Sequence, residues 1–440
     1  MLLELTVSNY RSIRDLTTVS MVTTHLKGMS PEVDARNVHQ LPTGQGVLRA
    51  AVIYGPNAGG KSNLLDAYRV LRTTALESAS HWTASTKIPV EPFLLDARTE
   101  DAPTHLEVVF VTSDVQYRYG FLATRTSIVR EWLYRRPLGD LRETRLFERE
   151  GSVFKLARSF AEGRRLESKT RPNALFLSVC AQFNGAVSSV VVDWVRRSPV
   201  LYLEFPTGIG DPLEHYTSRI LADPGLSHLR DRVRHLLLTA DIGILDFHCE
   251  KQVFAEHLPS EMPAALRELI LQSGPQDVYD VKTGHASYGA DGQRQEDRHL
   301  DLHHHESDGT RKLYRMASAI ADTLHSGDLL VVDELDARMH PLLTEAIIDL
   351  FQNPVQNPKG AQLLFTSYDV GLLDPHRFRR DQIWFAEKDV RGATLVTSLA
   401  EFKGVRQDES YRAGYLTGRY GAIPLLQRFG TWGAGGDAHE

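Results

Sequence analysis

Only two of the 440 residues are cysteine, Cys180 and Cys249, and neither belongs to a CxxC pair. That scarcity excludes a disulfide framework and a zinc ribbon, and it suits a reducing, cytoplasmic compartment. Long apolar runs are missing as well. No stretch reaches the eighteen or so apolar residues that span a bilayer, and the opening "MLLELTVSNYRSIRD" has neither the basic start nor the apolar centre of a leader. No membrane association is expected, and a role in transport would require a separate membrane partner. The chain also lacks sustained heptads and internal repeats, so long coiled-coil arms are not expected. Positive charge is in short supply: 50 Lys and Arg face 56 Asp and Glu, a net charge of -6, which argues against a generally basic nucleic-acid coat. The deficit is uneven, because Arg125 to Arg171 holds thirteen Lys or Arg against seven Asp or Glu.

What is present is a globular composition, 42% hydrophobic and 24% charged, sufficient for one large or two medium cores. "LLELTVSNYRSI" alternates like a strand, and "VLRAAVIY" is the near-continuous apolar run of a strand buried on both faces. A glycine loop follows, and then Leu64, Leu65, Tyr68 and Leu71 recur at helical spacing. From Pro89 to Phe154, short alternating runs such as "HLEVVFVT" and "QYRYGFLAT" predict an antiparallel meander. Asn173 to Ser273 reads as mainly helical, with Leu226, Leu229, Val233, Leu236 and Leu237 on one face and breaks at Pro259 and Pro263. "KTGHASYGADGQRQEDRH" reads as a loop or exposed hairpin. "DGTRKLYRMASAIADTLHSG" reads as a helix with a glycine stop, and "DLLVVDEL", "AQLLFTS" and "DQIWFAEKD" as further buried strands. The tail "TWGAGGDAHE" is expected to fray.

Three segments carry chemistry. "GPNAGGKS", Gly55, Pro56, Asn57, Ala58, Gly59, Gly60, Lys61 and Ser62, satisfies the P-loop pattern between a strand and a helix. Its backbone N–H groups can curl around a polyphosphate, Lys61 can reach the β- and γ-phosphates, and the Ser62 hydroxyl can ligate Mg²⁺. "LLVVDE" ends an apolar strand in Asp333, suited to the magnesium shell, and Glu334, suited to polarising water; taken alone it reads equally as a buried strand with an acidic turn. In "HESDGTRKL", Ser307, Asp308, Gly309 and Thr310 stand before a helix, where they could grip an anion or simply cap the helix.

With these segments, the chain resembles the cassette-type ATPases of the SMC and RecF class, and within it the AbiL/RloA-like ATPases of abortive-infection systems. The resemblance runs from "NYRSIRD" through "GPNAGGKSN", "EPFLLD", "LFLSVCAQFN", "ESDGTRKL", "VVDELDARMHP" and "LLFTSYDVGLLD" to "RRDQIWFAEKD" and "GYLTGRYGAIPLL". It implies an α/β P-loop fold of the ABC/SMC-head type: a mixed sheet, an antiparallel β meander, a helical insertion and no long coiled coil. The implied organisation is an N-terminal ATPase lobe (1–172), a mainly helical insertion (173–298), a C-terminal ATPase lobe with signature, acidic strand and switch (299–400), and a C-terminal segment (401–440). It further implies a homodimer or higher oligomer in which two ATP molecules, each with Mg²⁺, lie between the P-loop of one subunit and the signature of the other. Lys61, Ser62 and the neighbouring Asn63 then serve the phosphates, Ser307, Asp308 and Gly309 the signature, Asp333 the metal and Glu334 the catalytic base. His340 replaces a D-loop aspartate. Tyr368 holds the catalytic switch position, where relatives carry a histidine; tyrosine is no cation at neutral pH, so hydrolysis is expected to be slow or partner-dependent. Gln116 lies in an ordinary strand pattern and identifies no Q-loop.

Two further clusters admit more than one reading. His299, His303, His304 and His305 are consecutive enough to point in different directions, which favours a loop beside the nucleotide over a metal site. Arg130, Arg135, Arg136, Arg142, Arg145 and Arg149 accompany Trp132 and Tyr134, either as stacking platforms for nucleic acid or as a solvated sheet face. The expected function is an ATP-driven switch of an anti-phage, abortive-infection system that controls a separate effector, a nuclease or toxin, because no nuclease constellation lies in the chain itself. The alternatives are a RecF/SMC-like DNA-maintenance ATPase that clamps DNA and a nucleotide-binding scaffold that hardly hydrolyses.

Overall fold

The computed structural model describes residues 1–26, 30–203, 211–240, 243–253, 277–406 and 409–424. Seven strands form an antiparallel sheet in the spatial order Val153–Leu156, Thr144–Glu150, Ile128–Pro137, Val115–Ala123, Thr104–Thr112, Leu2–Ser8, Thr17–Ser20. The expected meander supplies five of them as consecutive neighbours. One of its two-residue turns is Ser113–Asp114, both at positive φ (50° and 58°), the geometry that closes a tight hairpin between Thr112 and Val115. The first strand stops at Ser8, short of the run expected from sequence, because Asn9 and Arg11 turn into the left-handed region (φ 49° and 46°).

A second sheet runs Val200–Tyr202, Leu329–Asp333, Gln362–Thr366, Ala50–Tyr54, Ile383–Lys388, Thr394–Ser398. The first five are parallel and the last is antiparallel, so the sheet is mixed. Its apolar strands distribute their side chains between two cores by the period of two. Ala51, Ile53 and Leu364 face the core shared with the antiparallel sheet and the Lys61–Glu77 helix. Val52, Phe365 and Phe385 face a second core, built with the Asp308–Ser326 and Pro341–Gln352 helices. The longer of these helices ends where Gly327 turns left-handed at φ 81°.

The segment expected to be mainly helical differs from expectation. Its helices Phe176–Gln182, Ala186–Arg196, Pro212–Ala222 and Ser227–Thr239 are present, but Asp246–Val253 is a strand, in a three-stranded antiparallel sheet with Asp277–Tyr288 and Arg294–Asp301. Local periodicity could not reveal it: Asp246 pairs with Gly284, so the ladder depends on residues far along the chain. The last two strands form the hairpin that glycine punctuation suggested. Pro259, Pro263 and the tail from Thr431 lie outside the described residues. Among the described residues no single helix is long and apolar enough to cross a membrane, and none forms a long coiled coil.

Candidate functional site

The P-loop leaves the carboxyl end of Ala50–Tyr54 and enters the Lys61–Glu77 helix. Two of its glycines have no substitute. A Cβ on Gly55 would lie 2.0 Å from the Ala386 carbonyl oxygen, and Gly60 caps the helix at φ 104° with Thr394 Oγ1 2.1 Å from where a Cβ would be. The loop is thus pressed against the Ile383–Lys388 and Thr394–Ser398 strands. A hydroxyl relay fastens it there: Asn63 Nδ2 donates to Ser12 Oγ (2.7 Å), Ser12 Oγ lies 2.8 Å from Thr394 Oγ1, and Thr394 Oγ1 donates to the Gly59 carbonyl (3.0 Å). Asn57, Ala58 and Ser62 stay exposed, Pro56 half-buried.

Lys61 is only 4% exposed. Its ammonium donates to the carbonyls of Gly55 (2.8 Å) and Pro56 (3.2 Å) and lies 3.8 Å from the centroid of the Tyr368 ring. Burial pulls its pKa down to about 8, against the opposing charges of Glu334, Asp333 and Asp336. Those carboxylates are near because three adjacent parallel strands end level: Ile53 is opposite Thr366, and Phe365 opposite Val332. Asp333, buried, accepts a hydrogen bond from Thr366 Oγ1 (2.6 Å), and the same hydroxyl accepts from the Glu334 N–H (2.7 Å). Glu334 itself turns left-handed at φ 52°. Tyr368 follows the Gln362–Thr366 strand, its N–H donating to Asp336 Oδ2 (3.1 Å), and its ring offers Lys61 an aromatic face.

Ser307 is the N-cap of Asp308–Ser326, its Oγ accepting from the Thr310 N–H (3.1 Å), and it is exposed together with Asp308. His340 is exposed and caps Pro341–Gln352, Nδ1 accepting from the Leu342 N–H (3.2 Å). These bonds of Ser307 and His340 stay within their own helices, whereas Asp308 pairs with Arg338 (2.9 Å). In a single chain the structure therefore gathers Lys61, Asp333, Glu334 and Tyr368 at the strand ends.

Several contributors escaped sequence reasoning. Thr366 orients both acidic residues, and its one signal is a hydroxyl at the end of the buried run "QLLFT". Ser12 and Thr394 buttress the loop from 382 residues apart, which no local pattern shows. Lys312, a cation at a buried position of the Asp308–Ser326 helix, is the third.

The histidines take separate partners: His303 bonds Glu214 (2.8 Å), and His299 stacks on His248 with centroids 4.6 Å apart. Three of the six arginines singled out from sequence pair with glutamates, Arg130 and Arg145 with Glu148 and Arg149 with Glu131, and Arg136 bonds Gln116 (2.6 Å), while the neighbouring Arg118 pairs with Glu107 and Glu143. Trp132 is buried and donates to Glu107, while Arg118 covers the Tyr134 ring at 4.2 Å. Trp132 is thus committed to the sheet interior and the half-buried Tyr134 to Arg118, so neither ring is presented as an open stacking platform.

A glycine-rich loop at a parallel strand end, with an acidic strand two places away in the sheet, defines a P-loop nucleotide-binding domain of the ATPase type. Residues 50–374, which include Lys61, Ser307, Asp333 and Tyr368, match the family described as "AAA domain, putative AbiEii toxin, Type IV TA system", and the chain belongs to that family. Among solved structures it is similar to the SMC head domain from Thermotoga maritima, at 11% identity and TM-score 0.37 over 90% of this chain and 98% of that one. An Smc head domain with coiled coil and joint derived from Pyrococcus yayanosii is similar at 9% identity and TM-score 0.39, over 90% and 96%. No curated protein matches the chain.

Proposed function

We propose that the chain is an ATP-hydrolysing switch of the abortive-infection AbiL/RloA type, working as a dimer that sandwiches two ATP molecules and controls a separate nuclease or toxin. The observation that carries this reading is the convergence of Lys61, Asp333, Glu334 and Tyr368 at three level strand ends. The P-loop amides and Lys61 would hold the phosphates. The donor set suits Mg²⁺, a hard cation served by oxygen: the exposed Ser62 hydroxyl and the Asp333 carboxylate, one of whose oxygens Thr366 already orients. Magnesium when bound would neutralise charge on the β- and γ-phosphate oxygens. Glu334 accepts the proton of the water whose oxygen bonds to the γ-phosphorus as the bond to the ADP oxygen breaks. Ser307, exposed at a helix N-terminus, is suited to meet the γ-phosphate held by a second subunit.

The DNA-clamp reading is weaker because Arg130, Arg145 and Arg149, three of the six arginines that suggested it, are paired with glutamates. Subunit mixing tests the sandwich. Lys61→Ala and Ser307→Arg homodimers should each be inactive, while their heterodimer has one site with both lesions and one with neither and should recover about one working site. Failure to recover activity, with exchange shown independently, would refute the composite site. For the cellular role, cells expressing the chain with its adjacent reading frame should restrict phage, and Glu334→Gln should abolish restriction. Equal plaque counts with and without the pair would remove the defence reading.

A further inference from the structure

Lys312 lies on the signature helix, is 5% exposed, and directs its ammonium at the turn after the acidic strand. It donates to the carbonyl oxygens of Glu334 (2.7 Å), Leu335 (3.1 Å) and Ala337 (2.7 Å), which uses all three of its N–H donors. The turn needs such a clamp. Glu334 and Arg338 are both non-glycine residues at positive φ, 52° and 61°, a conformation that persists only where the surroundings impose it. The backbone of Glu334 is then held on both sides, its N–H by Thr366 Oγ1 (2.7 Å) and its carbonyl by Lys312.

Two more contacts join the start of the helix to the same turn. Asp308 pairs with Arg338 (2.9 Å), and Gly309 lies so close that a Cβ there would be 2.8 Å from the Arg338 carbonyl oxygen. Burial draws the Lys312 pKa down to about 8, against the charges of Asp336 and Glu334, so the ammonium is retained at neutral pH. The consequence is mechanical. Ser307 stands at the exposed end of a helix that Lys312 bonds to the backbone carrying Glu334 and that Asp308 joins to the Arg338 side chain.

We propose that Lys312 is a positioning residue that sets Glu334 for hydrolysis and ties it to the signature serine, so that engagement of Ser307 by a second subunit is felt at Glu334 in the same chain. This rests on the reading of Glu334 as the catalytic base. Lys312→Met keeps the unbranched stem and removes the ammonium. It should lower kcat at least tenfold while the Kd for ATP, by calorimetry on the full chain, changes less than threefold. Lys312→Arg, which retains a cation, should restore part of the lost kcat.

In the Glu334→Gln background, Lys312→Met should cause no further loss. Arg338→Ala cuts the second tether at the surface, where folding is not at issue, and should lower kcat about threefold with ATP affinity unchanged. Wild-type turnover in Lys312→Met or in Arg338→Ala overturns the coupling, as does an equal loss in Kd and kcat. If Glu334→Gln is inactive while Lys312→Met turns over normally, this inference alone fails. If Glu334→Gln hydrolyses like wild type, the catalytic-base reading fails and takes this one with it.

Discussion

Replacing Tyr368 tests whether its ring competes with phosphate for Lys61. The ammonium has three donors, two of which point at the Gly55 and Pro56 carbonyls, and the ring covers its remaining side at 3.8 Å from the centroid. A phosphate reaching Lys61 must displace the ring or share the cation with it. A cation–π contact contributes about 0.5 kcal/mol in the open and about 2 kcal/mol when desolvated. Here the lysine is buried and the tyrosine 43% exposed, which places the contact near the middle, about 1 kcal/mol. At about 1.4 kcal/mol per tenfold, Tyr368→Ala should tighten ATP binding roughly fivefold. Tyr368→Phe keeps the aromatic face and should stay within about twofold of wild type. Calorimetric titration with ATP at constant magnesium, on the Glu334→Gln background to suppress turnover, measures both. Weaker binding by Tyr368→Ala would show that the ring supports the nucleotide, and a phenylalanine variant that behaves like alanine would show that the hydroxyl and not the ring matters.

Three further outcomes follow from particular contacts. Glu131 is fully buried, its pKa raised by burial against the pull of Arg149 at 3.7 Å, and it accepts from the N–H groups of Phe176 and Leu177. Arg149→Leu leaves that carboxylate without its cation and should cost about 3 kcal/mol in urea unfolding; a loss below about 1 kcal/mol would mean that the peptide donors suffice. Glu214, by hydrogen bond and charge, raises the pKa of His303 above its usual value despite burial, with Asp301 adding to the rise and Arg311 opposing it. The stabilisation is therefore complete below the ordinary histidine pKa of about 6.5 and is lost as pH rises through the raised value. The melting temperature should fall across that window in the wild type, and His303→Gln should flatten this part of the profile; an unchanged slope would deny the ion pair a role. Gly309→Ala should lower kcat several-fold at unchanged ATP affinity, because the new Cβ meets a backbone oxygen at 2.8 Å. Full turnover by this variant would show that the helix and the turn can separate without consequence.

Much of the site is legible in the amino-acid sequence, for a physical reason. A P-loop is a local object: strand, glycines, lysine and helix are contiguous, and the backbone geometry that cradles phosphate is written in residues that adopt positive φ or tolerate close approach. The acidic strand is equally plain, since an apolar run buried on both faces has a recognisable composition and its last residues emerge at the sheet's edge. The antiparallel meander is visible because its pairs are sequence neighbours.

What sequence could not supply was everything decided between distant segments. The Asp246–Val253 strand exists because Asp277–Tyr288 pairs with it, and its own periodicity was compatible with helix. Arg130 could be read from sequence as part of a nucleic-acid platform or of a solvated sheet face, and only the pairing of its strand with Thr144–Glu150 set Glu148 beside it. Tyr368 could be identified as a departure from histidine, but only the packing of two parallel strand ends put its ring on Lys61. Nothing in its helical run singles out Lys312, because the three carbonyls that bind it lie 22 to 25 residues away. The chain thus dictated by itself which backbone segments can hold a phosphate. Only the tertiary fold determined which side chains meet there, since hydrogen bonds and ion pairs act over a few ångströms of space and take no account of separation along the sequence.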